Sequence, residues 1–429
     1  MNLIIYTLTS LAYIIIEPSL LIMLVFLSGV FYLKNKKIVA MQRMIIGEKI
    51  NSPIELTLSQ IVFGLLAGII GSIILSGLGI IFTSDSGIVY LFMISILLMF
   101  IKPRFVCFSY SGAVLGGMSL IYTYLAPYLG FDVSNFRIDI LSLMTFVGVL
   151  HIVEALLVVV DGDKGAVPVF SNRNNKIIGG YAFSRYWVIP ITIFLAYKLG
   201  VADQSLTESI STPEWWPILS SEYILTILAT MALTLTPLFG IIGYSSVTFT
   251  KSKKKKVISS GIHIFLFGIA LIAIAQLSRF GIVGEIITII FAPIGHELML
   301  EVQRKREEKG TPIFFSGDEG ISVLEIVPYS EIYDLGIKSG DKIISINGNK
   351  VHFEKEVYEA AKVRSDNLII KAIGINGEIK EVSLKGNKKG LGILLVPRIV
   401  KSDSIVPLDE NKFSDVLHNI SGKINKNDK

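Results

Sequence analysis

Residues 320–348 read GISVLEIVPYSEIYDLGIKSGDKIISING, and this stretch decides the fold of the C-terminal third. Gly320-Ile-Ser-Val-Leu-Glu-Ile-Val327 alternates with the period of two of a strand, and Pro328 ends it because proline has no N–H to offer a ladder. Gly336 and Gly340-Asp341 punctuate turns, and Lys342 to Ile346 is a second strand. Asn347-Gly348 closes it with a strong hairpin signal, since both residue types tolerate positive φ. Working outward, Phe353 to Arg364 has helical spacing, with Phe353, Val357 and Ala360 on one side. Two strands follow, Leu368 to Ile373 and Ile379 to Leu384, joined through Asn376-Gly377. Gly390-Leu391-Gly392-Ile393 then leads into Leu394 to Val396. Residues 401–429 are polar and low in aromatics, which predicts a mostly disordered tail with a short Phe413 to Ile420 helix as the exception.

Toward the N-terminus the composition changes. The chain has 429 residues and a formal net charge of +5, but residues 1–300 are about 11% charged and residues 301–429 about 32%. A mean hydropathy of +0.62 is too apolar for a soluble globule, because a water-facing surface needs roughly a quarter charged residues. Residues 1–300 therefore belong in a bilayer, and the rest has the composition of one soluble domain plus a tail. The single cysteine, Cys107, excludes an intramolecular disulfide and a cysteine zinc cluster. The one strongly basic run, Lys251 to Lys256, lies between apolar stretches, so nucleic-acid binding is not expected. MNLIIYTLTSLAYIIIEPSL has neither a charged leader nor a small-residue cleavage site, so no cleavable signal peptide is expected.

A span needs roughly 20 apolar residues. Runs of that order cover 18–33, 56–82, 88–101, 105–128, 138–160, 183–200, 218–243, 257–278 and 281–300, which predicts a polytopic α-helical bundle of about seven to nine transmembrane helices. Leu3 to Ile16, ahead of Glu17-Pro18, extends the first or lies at the interface. Alternate loops hold sixteen Lys/Arg against three in the others, so the basic loops and the C-terminal region are expected in the cytoplasm. The lysine-free segment Asp203 to Glu222, with Trp215-Trp216, is expected outside at an aromatic belt. Gly64-x-x-x-Gly68 and Gly112-x-x-x-Gly116 suit close helix–helix packing within the bundle or at a homo-oligomer interface.

Ionisable residues in hydrocarbon are functional candidates. His151 and Glu154 share a helix face, and Asp161-Gly162 follows on the same run. His, Glu and a later Asp-Gly evoke the intramembrane zinc proteases, which also combine membrane helices with a PDZ domain. Those enzymes need His-Glu-x-x-His. Here His151-Ile-Val-Glu154 lacks the adjacent Glu, and His296-Glu297-Leu-Met-Leu300 has leucine where the second histidine belongs. A three-ligand site would have to be assembled from distant helices, so no catalytic residue, metal or cofactor is assigned. His151 and Glu154 are read as a pair bonded within the bundle, with proton or ion handling as the alternative. Ser109-Tyr-Ser111-Gly112 lacks the first glycine of a serine-protease motif. No internal repeat points to a transporter, and Gln60, Gln276 and Glu285 fall near predicted helix ends.

From Val327 to Gly348 the C-terminal region resembles a bacterial, permuted PDZ domain. The match is Val327-Pro328-x-Ser330, then Leu335-Gly336-Ile337-x-x-Gly340-Asp341-x-Ile343-x-x-Ile346-Asn347-Gly348, with Glu331, Ile332 and Leu335 departing from the usual residues. Such a domain is a small α+β, barrel-like unit. Its glycine loop points N–H groups at a peptide carboxylate, while the peptide adds as a strand beside a helix. The resemblance implies a groove of Gly390, Leu391, Gly392, Ile393, Leu394 and Leu395, with Tyr358 and Ala361 facing it from the helix. Alternatively, Pro312 to Phe315 takes the loop's place and residues 390–393 only close the sheet. The expected organisation is a transmembrane domain (1–300), a juxtamembrane helical linker (301–311), a PDZ domain (312–400) and the tail (401–429).

The whole arrangement resembles the MinJ-type topological determinants of Gram-positive cell division. That resemblance implies a non-enzymatic scaffold in the cell membrane, enriched at septum and poles, that bridges a DivIVA-like coiled-coil protein to a MinD-like ATPase. A degenerate relative of the intramembrane zinc proteases and a transporter with a regulatory PDZ domain are the alternatives.

Overall fold

The computed structural model describes residues 2–130, 136–173, 176–198, 212–219, 221–362, 367–385 and 391–398. The expected tail, Gly390 and most of the lysine-free segment lie outside them. The chain opens with α1 (Asn2–Ile16), a separate 15-residue helix, and α2 (Pro18–Ile46). Glu17 caps α2 by accepting from the Leu20 N–H at 2.8 Å, and Pro18 at the first helical position has no N–H to leave orphaned. Next come α3 (Pro53–Leu78), the short strand β1 (Ile81–Thr83), α4 (Tyr90–Ile101), α5 (Phe108–Leu129) and α6 (Ile140–Asp161). The latter is the buried centre of the membrane part, and it packs most extensively on α8 (Lys253–Ala275).

Among the described residues five helices are long and apolar enough to cross a membrane: Pro18–Ile46, Pro53–Leu78, Ile140–Asp161, Lys253–Phe280 and Ile282–Lys309. The chain is a multi-pass membrane protein, but the expected seven to nine transmembrane helices are not all there. Residues 183–200 and 218–243 account for much of the difference. They are occupied by β3 (Lys176–Lys198), which follows β2 (Val167–Arg173), and by α7 (Glu222–Thr230) with β4 (Met231–Thr248). Strands β3 and β4 pair antiparallel from Tyr181↔Thr248 to Lys198↔Met231. Both runs are rich in β-branched and aromatic residues, and each carries a central proline, Pro190 or Pro237. Proline breaks a helix interior, while apolar periodicity cannot separate a buried strand from a buried helix.

The sheet also changes the meaning of one glycine motif. A Cβ at Gly64 or Gly68 of α3 would come within 2.1 Å of the backbone oxygen of Val188 or Pro190. Gly64-x-x-x-Gly68 therefore lays a helix on a strand backbone, not on another helix. Beside it, the Thr192 N–H of β3 donates to Ser72 Oγ at 3.0 Å. Gly112 and Gly116 follow the expected helix packing, with positions for a Cβ against Val147 and Ile140 of α6. Trp216 donates through Nε1 to Ser76 O at 2.8 Å, at the C-terminal end of α3.

After α8, α9 (Ile282–Lys309) runs without a break through the charged segment 301–309. The C-terminal domain follows with β5 (Phe314–Phe315), β6 (Ile321–Ile326), α10 (Glu331–Asp334), β7 (Lys342–Ile346), β8 (Asn349–Lys350), α11 (Glu354–Lys362), β9 (Asn367–Ile373), β10 (Ile379–Lys385) and β11 (Ile393–Leu395). Its sheet runs in the order β10-β9-β7-β6-β11, with β8 paired to β7. Asn347 and Gly348 both have positive φ, +48° and +81°, as a tight β7–β8 turn requires.

Strands β6 and β11 serve two cores. Ile321, Val323, Ile326, Ile393 and Leu395 face the domain's own interior. Leu324, Val327, Leu394 and Val396 face the membrane part, in one cluster with Tyr181 and Phe314. Strand β5 extends the membrane sheet by pairing Ile178↔Phe315 and Gly179↔Phe314. Tyr181 Oη donates to Leu324 O, and Lys253 meets Glu325 at 2.7 Å. The domain is thus seated on β3 and the start of α8.

Candidate functional site

Most of the residues expected to line a groove lie on or beside β11, with Gly390 outside the described residues. Gly392 has φ +65°, and a Cβ there would lie 2.8 Å from Ser330 Cβ, so glycine is required on both counts. On the β6 side of the strand, Val327 N–H donates to Gly392 O and Val396 N–H to Ser322 O, both at 2.8 Å. Alternation turns the Ile393 carbonyl and the Leu395 N–H to the other edge, toward α11. There the Tyr358 hydroxyl occupies both. It accepts from Leu395 N–H at 3.1 Å and donates to Ile393 O at 3.4 Å. Burial holds the Tyr358 phenol above its ordinary pKa, against the bond from Leu395.

Tyr358, Ala361 and Leu391 line the edge of the domain core, beside Ile393 and Leu395. Leu394 does not join them: its side chain packs on the membrane part. Residues 312–315 also stay away from this edge, since Phe314 and Phe315 pair with β3. Glu354, one turn before Tyr358, has a buried Oε2 with no hydrogen-bond partner.

A second group of polar residues lies inside the helical part. Glu154 Oε2 is 4.0 Å from His151 Nε2, as their spacing on α6 implies. Asp161 is not part of this group, being ten residues further, about 15 Å along the helix. Its carboxylate is held by Arg185, by Trp187 Nε1 at 2.8 Å, by Ser59 at 2.6 Å and by Lys164 at 3.2 Å. Reading His151, Glu154 and Asp161 as one set therefore fails on geometry.

Instead, Cys107 and His296 meet His151. Candidate ligand atoms of the three residues all lie within 4.8 Å of one another, and Cys107 Sγ is 3.1 Å from His151 Nε2. Cys107 immediately precedes α5, His151 is in mid-α6 and His296 in mid-α9, so separations of 44 and 145 residues hid the group in the sequence. Its only local signal was the rarity of the residues themselves: two histidines and the single cysteine in apolar runs. Ser109 Oγ lies 3.2 Å from the same His151 nitrogen. Phe267 packs edge-on against both imidazoles.

No protein family profile matches the chain, and no solved structure does. The cell division topological determinant MinJ of Bacillus subtilis (strain 168) is 25% identical over 347 residues, 78% of this chain and 81% of that protein. Apolar spanning helices leading into a small antiparallel domain, and similarity over most of both lengths, make this chain a distant homologue of that determinant.

Proposed function

We propose that this protein is a non-enzymatic membrane scaffold that takes part in placing the division site and recruits partners through a cytoplasmic PDZ domain. The observation that carries the reading is similarity to MinJ across four-fifths of that protein's length. The residues around β11 are compatible with it: a glycine of positive φ enters a short strand beside a helix, and a peptide adding as a strand there would have to displace the Tyr358 hydroxyl from Leu395 N–H and Ile393 O. Lys253, Lys254 and the loop at Asp163 lie together beside the C-terminal domain, linked by the Lys253–Glu325 and Lys254–Asp163 pairs. That grouping supports one basic, cytoplasmic side for these loops and the domain. DivIVA-like and MinD-like division proteins are the proposed partners.

The test is localisation. A fluorescent fusion of the full chain should concentrate at septa and poles, and a deletion strain should misplace its septa. A uniform membrane signal together with normal division in the deletion strain would reject the reading.

A further inference from the structure

We infer that Cys107, His151 and His296 form a binding site for a divalent, zinc-like metal ion within the helical part of the molecule. Three arguments converge, and the first is distance. Tetrahedral zinc with bonds of about 2.0–2.3 Å to nitrogen and sulfur sets its ligand atoms roughly 3.3–3.6 Å apart. The three atoms here span separations from 3.1 Å to at most 4.8 Å, so rotamer adjustments suffice to close them on an ion.

The second argument is which imidazole nitrogen is bare. His151 Nδ1 lies 2.8 Å from Val147 O, an oxygen that can only accept, so the ring proton sits on Nδ1 and Nε2 presents a lone pair to Cys107. His296 reaches the same state by a relay. Glu297, paired with Arg104 at 3.3 Å, accepts a hydrogen bond from the Tyr110 hydroxyl at 2.5 Å. Tyr110 Oη, 3.2 Å from His296 Nδ1, must then accept from that nitrogen, which leaves Nε2 bare. Bonds of this kind orient ligating histidines and fix their tautomers. Two rings on two helices thus have Nδ1 engaged as donor and Nε2 unprotonated, with the lone pair of His151 Nε2 facing Cys107 Sγ and Ser109 Oγ.

The third argument is surroundings. His151 and His296 are only 2% and 7% exposed, and Phe267 closes their apolar side. Cys107 is half-buried, and Arg104 and Glu297, each about two-fifths exposed, give the site a polar approach. One thiolate and two imidazoles suit zinc and its cobalt substitute, with the thiol proton leaving as the metal binds. Glu154 Oε2 lies 4.0 Å from His151 Nε2, the nitrogen that would hold the ion.

The experiment uses the full chain in detergent, stripped with a chelator and titrated with cobalt(II). A thiolate-to-cobalt charge-transfer band should grow to saturation near one cobalt per chain and vanish on adding zinc. Cys107→Ser should abolish the band, and His296→Gln should weaken binding at least tenfold. Tyr110→Phe, which touches no metal, should weaken it by about 10–100-fold by releasing the His296 tautomer. Ser109→Ala removes only a competing hydrogen bond and should retain the band. Circular dichroism and a monodisperse elution profile confirm folding of each variant. Absence of the band in the folded parent chain, or its survival in Cys107→Ser, would overturn the site and show a hydrogen-bonded cluster only.

Discussion

At the scale of single residues, Tyr358 carries the most testable chemistry outside the membrane. Its hydroxyl is the partner of Leu395 N–H and Ile393 O, the groups an added peptide strand would use. Removing the hydroxyl leaves a partly buried donor and acceptor unpaired, at a cost of about 1–3 kcal/mol. Tyr358→Phe should therefore lower the stability of the C-terminal domain by that order and speed amide exchange at Leu395 about tenfold or more. Exchange mass spectrometry on the peptide covering residues 391–398 reads this directly, and unchanged protection would remove Tyr358 from the groove. Because burial raises the phenol's pKa above the unfolded value near 10, the contribution of the buried neutral phenol is complete at neutral pH and fades only as pH climbs past that value. Helical spacing was enough to bring Tyr358 to the right face of α11. That its oxygen, and not a ligand, completes the β11 edge depends on how closely helix and strand approach, which spacing does not encode.

At the scale of elements, α3, β3 and α6 are joined by one ionic knot. Asp161 at the end of α6 and Arg185 in β3 are both fully buried and bonded to each other, with Ser59 of α3 bonded to both. Removing one partner of such a pair strands the other charge, which costs about 3–5 kcal/mol. Asp161→Asn should accordingly lower the thermal midpoint of the purified protein by many degrees. Lys254→Met, which loses an exposed pair to Asp163, should hardly move it. Equal effects would mean that the knot is not what holds the three elements. The same knot shows where legibility ended. The strands of the C-terminal domain could be read because turn residues bound them and polar residues alternate within them. Strand β3 could not, since it is buried along almost its whole length and its apolar run has no polar face to reveal the period. Nor could the partner of Arg185 be read, since Asp161 on α6 is 24 residues away in sequence.

At the scale of the whole molecule, the contrast between an apolar N-terminal part and a charged C-terminal one was visible at once, but it suggested two independent bodies. The structure joins them. Tyr181 donates to Leu324 O and lies 3.1 Å from Ser339 Oγ, while Leu324, Val327, Leu394 and Val396 are buried against the membrane part. Four apolar side chains on one face, each worth about 1.5–3 kcal/mol when fully covered, make this seat a large share of a small domain's stability. Orientation follows from it, because a seated domain presents the β11 edge at a fixed direction to the bilayer, whereas a tethered one would sample all directions. An excised fragment covering residues 311–398 should therefore expose that face and self-associate. The double variant Leu324→Ser, Leu394→Ser should restore a monomer without disturbing the inner core of Ile321, Val323 and Ile393. Sedimentation of both fragments decides the matter: a parent fragment that is monomeric and as stable as its variant would mean that the seat contributes nothing and the domain is free to swing.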